Sequence, residues 1–217
     1  GIFDLETKDL TIKGVREVYV SDSQFVVIIP KNQEIILKKN RNFQFGGKVY
    51  GGLFTFYGNQ FFFDYEKFNI DMENIDSISM RVQTEERDMY NRAMLAEVQN
   101  SIQNLSGSLQ IDAPDNKSGK EDYPEFPTCV SRGDSYIYYD DKTIHGGVYD
   151  RERFYFQLEP FTIDSLDNFS TKGLNFDGEF YSADIFPPFE ESVYLRPDKS
   201  MGFVRETPDQ GFPLYQF

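Results

Sequence analysis

Between residues 10 and 82 the apolar positions fall in short runs, at 10–12, 18–20, 25–29, 35–37, 43–50, 53–57, 61–65, 68–72 and 78–82. Runs of this length, recurring at short intervals, are the pattern of β-strands joined by tight connections. Pro30, Gly46-Gly47, Gly51-Gly52, Gly58-Asn59 and Asn74 occupy the breaks, where turn chemistry is expected. Phe43, Phe45 and Val49 lie two or four positions apart, which is strand alternation, and the glycines among them mark a bulge or a close backbone approach.

From residue 85 to 105 the period changes. Tyr90, Met94, Val98, Ile102 and Leu105 recur every three or four positions and predict one amphipathic α-helix covering an edge or face of the β-structure. Thr84 is placed to cap it, Glu85 and Glu86 favour its positive end, and Gly107 is placed to end it. A strand is expected at 108–111, then a polar loop or inter-lobe linker at 112–125. Strands return at 136–139 and 143–149 as a hairpin, and at 154–158, 161–163, 174–181, 193–195 and 202–204.

The chain also resembles itself. Residues 61–71 align without a gap to residues 154–164, with six of eleven positions identical. A glycine element precedes each copy, at 49–54 and 144–149, and a partial third copy relates 45–54 to 176–186. Such spacing is too irregular for a short-period array and fits a β-solenoid with insertions or stacked or sandwiched antiparallel sheets. The expected fold is therefore mainly β, built on repeated aromatic-glycine strand modules. A first lobe at 1–108 would end in the helix and a second at 109–217 would carry the repeat copies, unless the two form one continuous domain.

Composition sharpens this picture. The chain of 217 residues has 22 Phe and 14 Tyr but no Trp, so burial rests on rings that favour strands. The net charge is −14; residues 1–60 carry +2, leaving −16 for residues 61–217. That field argues against nucleic acid as a partner, and the basic trio Lys38, Lys39 and Arg41 reads as a solvated strand end. No apolar run reaches the length of a membrane span. The start at Gly1, without Met, suggests a piece of a longer chain.

Candidate chemistry is sparse. Cys129 is the single cysteine and His145 the single histidine, so neither an internal disulfide nor a Cys/His zinc site is available. No cofactor is expected, and the structural reading of both residues is preferred to a thiol nucleophile. The acidic pairs Asp140-Asp141, Glu190-Glu191, Asp164 with Asp167 and Glu152 with Glu159 keep an acidic-residue hydrolase among the alternatives, although solvation is the default for carboxylates this numerous. In the 112–119 loop, Asp112, Asp115 and Asn116 are weak candidates for a hard cation, and Lys117 among them favours a plain turn. Three glycosylation sequons, at Asn104, Asn116 and Asn168, carry little weight in so Asn- and Ser-rich a chain. Tyr136, Tyr138 and Tyr139 are the candidate binding residues; alternation puts the first two on one face and the third on the other.

The stretches Lys-Asn-Arg-Asn-Phe-Gln-Phe-Gly-Gly at 39–47 and Phe-Asp-Gly-Glu-Phe from 176 through Ile-Phe-Pro-Pro at 185–188 resemble very large, uncharacterised repetitive envelope proteins of Bacteroidetes-type bacteria. The resemblance implies an extracytoplasmic β-scaffold, at the periplasm or cell surface, whose partners are other chains of an envelope complex or further modules of the same long chain. The leading expectation is a non-enzymatic structural or protein-interaction segment. The alternatives are a glycan- or peptide-binding β module using exposed tyrosines, and the hydrolase.

Overall fold

In the first half of the chain the apolar runs become strands β1 (Ile2–Phe3), β2 (Leu10–Lys13), β3 (Val18–Ser21), β4 (Val26–Pro30), β5 (Glu34–Leu37), β6 (Phe43–Gly51), β7 (Phe54–Asp64) and β8 (Asn69–Arg87). The computed structural model describes residues 1–21, 23–142, 144–168 and 174–212. The chain continues with β9 (Ala93–Glu97), β10 (Ile102–Gln110), β11 (Thr128–Ser131), β12 (Ser135–Tyr138), β13 (Phe154–Leu158), β14 (Thr162–Ile163), β15 (Asn175–Ser182), β16 (Phe189–Leu195) and β17 (Met201–Gly202).

The protein is mainly β, one large antiparallel sheet that is not closed. Its spine is β6-β7-β8-β10. At β6 the sheet forks: one end pairs with β5 and so with β2 and β1, the other with β4 and β3. At β10 it forks again, residues 107–110 joining β11 and then β14, residues 102 and 103 joining β12, β13, β15, β16 and β17. Residues 108 and 109, either side of the expected lobe boundary, lie within β10. The far edge then turns back on the segment before β10, where Gln99 N–H donates to Lys199 O and Met201 N–H to Asn100 Oδ1, both at 2.9 Å.

A continuous core runs from Val26 to Met201. In the first half it is made of cross-strand ring pairs: Phe43 opposes Phe63 and Phe45 opposes Phe61 across β6–β7, at centroid distances of 4.8 and 5.0 Å. Each such pair contributes about 0.5–1.5 kcal/mol beyond area burial. Three expected breaks prove to be irregularities inside strands, since β6 passes through Gly46-Gly47, β7 through Gly58-Asn59 and β8 through Asn74 (φ +48°) without reversing. Gly52 is a true turn at φ +57°, where a Cβ would lie 2.4 Å from the backbone of Leu166.

The expected helix at 85–105 is not there. Asp88 and Asn91 make a chain reversal instead: Asp88 N–H donates to Arg92 O, Asp88 Oδ1 accepts from the N–H groups of Tyr90 and Arg92, and Asn91 adopts φ +62°. Thr84, placed to cap a helix, donates its hydroxyl across the hairpin to Met94 O at 3.1 Å. Local Asx chemistry competes with the helix; Val98 and Asn100 are then buried in the connection to β10, where strand resumes at Ile102.

Three other expectations change. The second strand of the 136–149 hairpin is not formed, because residues 144–147 are turns; Thr143 lies outside the described residues. The coiled alternative gives way to antiparallel pairing throughout. The repeat is not confirmed as a structural unit: Asp64 pairs with Asn69 across a tight β7–β8 turn, whereas β13 pairs with β12 and β15 while β14 pairs with β11.

Candidate functional site

On β12, β13 and β15 phenylalanine and aliphatic side chains point inward and tyrosines outward. Ile137, Phe156 and Phe176 are buried, while Tyr136, Tyr138, Tyr155 and Tyr181 are half-buried on the opposite face. Register brings the tyrosines together, with Tyr138 opposite Tyr155 and Tyr155 opposite Tyr181. Tyr155 and Tyr181 stack at 4.6 Å, Tyr136 and Tyr138 at 5.9 Å, and Tyr136 meets Tyr155 edge-on at 5.8 Å. Antiparallel neighbours lie ~4.8 Å apart, so three strands give a ring platform about 10 Å wide.

The polar rim is specific. Arg151 lies with its guanidinium carbon 4.2 Å from the Tyr138 ring centroid and forks onto Asp140, Nε to Oδ2 at 2.7 Å, while Nη1 donates to Gln103 Oε1 at 2.9 Å. At the other end Tyr181 donates its hydroxyl to Glu179 Oε2 at 2.7 Å. That hydrogen bond to a carboxylate, helped by burial, pushes the Tyr181 phenol up to about 12. Burial likewise raises the phenols of Tyr138 and Tyr155. Tyr139 is elsewhere: it packs on the core, its hydroxyl donates to Met201 O at 3.2 Å, and burial raises its pKa. The three tyrosines singled out in the sequence thus divide two against one, and the ladder's other members, Tyr155, Tyr181, Arg151 and Glu179, were missed: strand register and the Arg151–Asp140 pair bring them in.

A second candidate surface is the hairpin that replaces the helix. Residues 81–87 of β8 pair with β9, and β9 pairs with no other strand among the described residues. Between Val82 and Val98 no residue is buried. The ribbon nonetheless carries Met89 (87% exposed), Tyr90 (72%), Met94 (46%) and Leu95 (45%). Met94 and Leu95 are adjacent on a strand and so face opposite sides, giving the ribbon apolar side chains on both faces.

Two hollows also lie on the surface. An open groove of about 810 Å³ over β5–β8 is lined by Gln44, Phe62, Asp71 and Glu73 among others, with Asp71 held by Arg132 at 3.2 Å. A smaller one, about 470 Å³, lies between Tyr139, His145, Phe154 and the β17 edge. None of the four carboxylate pairs named from the sequence lines either hollow.

The remaining candidates are committed elsewhere. Asp112 and Asn116 are buried and bonded to each other, with Asn116 Nδ2 donating to both Asp112 oxygens at 3.1 Å and Gln24 Nε2 donating to Asp112 at 3.3 Å. Asp115 is exposed, and among the described residues no cluster of three or more His, Cys, Asp or Glu is placed to hold a metal. Cys129 is buried on β11 and its thiol is pushed up to about 12, so a thiolate is disfavoured. His145 sits exposed in a turn, edge-on to Tyr149 at 5.9 Å. Asn116, one of the sequon residues, has its amide committed inside the fold; Asn104 is exposed with Nδ2 3.4 Å from the Tyr138 hydroxyl, and the third sequon runs from Asn168 into residues outside those described. No helix among the described residues is long and apolar enough to cross a membrane. No protein-family model, curated protein or solved structure matches the chain.

Proposed function

We propose that this chain is a non-enzymatic structural or protein-interaction segment of a larger extracytoplasmic envelope assembly, with the β8–β9 ribbon as its contact element. The observation that carries the reading is the exposure of Met89, Tyr90, Met94 and Leu95 on a two-stranded ribbon outside the core. A two-stranded hairpin is marginally stable by itself in water. Apolar side chains on both of its faces gain from a partner that covers them, and its open strand edges offer backbone groups for strand addition.

The test places a photo-crosslinking residue at position 95 of the whole chain and follows association by sedimentation velocity. Concentration-dependent association and a cross-linked product, both lost in Leu95→Lys, are expected. A chain that stays monomeric up to about 100 μM and gives no cross-link refutes the reading, because the patch then has no complement in a neighbouring module.

A second reading is favoured by the tyrosine ladder, namely a ligand-binding module for glycan or peptide. Four half-exposed rings on one sheet face, edged by Arg151, Asp140 and Glu179, provide stacking surface with polar groups at its rim.

A further inference from the structure

The tyrosine face twice sets a tyrosine and a carboxylate two positions apart, in opposite chain order. In the first, Tyr138 and Asp140 lie two positions apart and hold a guanidinium: Arg151 covers the ring at 4.2 Å and its Nε meets Asp140 Oδ2 at 2.7 Å. In the second, Glu179 and Tyr181 lie two positions apart on β15, on the face that carries Tyr155, and are joined by the hydroxyl–carboxylate bond of 2.7 Å. Here no guanidinium of the described residues is seated. Glu190 stands directly opposite Glu179 on β16. Among the described residues neither carboxylate forms an ion pair, since Arg205 bonds the Glu190 carbonyl and the Glu191 carboxylate.

Like charges directly opposite each other on neighbouring strands repel, and the surrounding chain at −14 offers little relief. A cation between Glu179 and Glu190 would remove that repulsion and lie beside an aromatic ring, where cation–π attraction is about 0.5–2 kcal/mol. A neutral sugar would gain the ring contact but leave the two like charges facing each other.

From this duplication we infer that the Tyr181–Glu179–Glu190 corner of the tyrosine face is a recognition site for the arginine side chain of an extended basic peptide segment. The inference rests on the second reading above, that this face binds a ligand, and narrows it to one class. Arginine is favoured over lysine because its planar guanidinium both stacks on a ring and forks onto carboxylates, as Arg151 does at the occupied copy.

The experiment titrates the whole chain, at low and high salt, with three probes: a capped Gly-Arg-Gly-Arg-Gly peptide, the same peptide with citrulline for arginine, and a neutral glucose hexasaccharide. The expected result is that the arginine peptide binds and the citrulline peptide binds at least about tenfold more weakly. Binding should weaken about tenfold in Glu179→Gln and fall with salt. An unchanged melting temperature of Glu179→Gln guards against a folding artefact. Equal binding of the arginine and citrulline peptides overturns the inference. Hexasaccharide binding that Glu179→Gln leaves intact, without peptide binding, overturns the inference and keeps the ligand-binding reading. Binding of none of the probes overturns both.

Discussion

Asn100 joins the far edge of the sheet to its middle, and replacing it with alanine tests whether a buried amide holds that curl. The side chain is 4% exposed; its Oδ1 accepts from Met201 N–H at 2.9 Å and its Nδ2 reaches Tyr138 O at 3.4 Å. Met201 is itself buried, so Asn100→Ala leaves its N–H without the acceptor, at a cost of about 1–3 kcal/mol. The longer bond to Tyr138 O adds about 0.5 kcal/mol. A loss of about 1.5–3.5 kcal/mol corresponds to a fall in melting temperature of roughly 3–14 °C for a chain of this size. With 14 Tyr and no Trp, near-ultraviolet circular dichroism of tyrosine reports the transition. Hydrogen exchange at the Met201 amide should accelerate in parallel. The control is Gln99→Ala, which removes an exposed bond from Nε2 to Asp198 O in the same turn and should cost at most about 1 kcal/mol. A melting temperature for Asn100→Ala within 1 °C of the parent, or a control costing as much, would refute the account of the closure.

Gly52→Ala places a Cβ at φ +57° and 2.4 Å from the Leu166 backbone, so it should destabilise by more than about 2 kcal/mol in a denaturant titration; a neutral result would mean the β6–β7 turn is not seated as described. Cys129, buried with a thiol near 12 against an ordinary value of 9.0, should resist a thiol reagent at pH 8 until the chain unfolds. The sign of the pH effect follows: the unfolded thiol ionises from about pH 9 while the folded one keeps its proton, so its contribution to stability is intact below 9 and is lost as pH rises towards 12. Cys129→Ala should flatten that decline in alkaline melting curves, and an unchanged slope would count against it. Tyr181→Phe should remove one late-ionising phenol, near pH 12, from the ultraviolet titration; loss of an ordinary phenol near pH 10 instead would sever the Tyr181–Glu179 link.

Strand positions were legible because alternation and cross-strand packing use the same residues: Phe43, Phe45, Phe61 and Phe63 are both the pattern and the contact. Which breaks reverse the chain was less legible. Gly51-Gly52 turns, but Gly58-Asn59 and Asn74 are absorbed within longer strands, because register with β8 and β10 decides what a local turn signal becomes. The tyrosine face was half legible. Tyr136 and Tyr138 follow from alternation, but Tyr155 and Tyr181 join them only through the register of β13 with β12 and of β15 with β13. The two carboxylates that face each other, Glu179 and Glu190, are opposed by that same register.

The failed helix has a functional side. Tyr90 and Met94, which with Val98, Ile102 and Leu105 set a helical period, belong in the fold to a hairpin tip and an exposed strand, while the other three are core. Val98, Ile102 and Leu105 are buried in the core, whereas Met89, Tyr90, Met94 and Leu95 are exposed, with Arg92 lying over the Tyr90 ring at 5.2 Å. Tyr90 and Met94, which helped to set the helical period, are therefore exposed surface on the ribbon. A ribbon selected only to close β8 onto β9 could carry polar residues at those four positions at little cost. Replacing Met89, Tyr90, Met94 and Leu95 together by threonine should accordingly leave the melting temperature within about 2 °C of the parent while abolishing association. If the melting temperature instead falls by 10 °C or more, the ribbon is part of the core's support and its apolar residues say nothing about a partner.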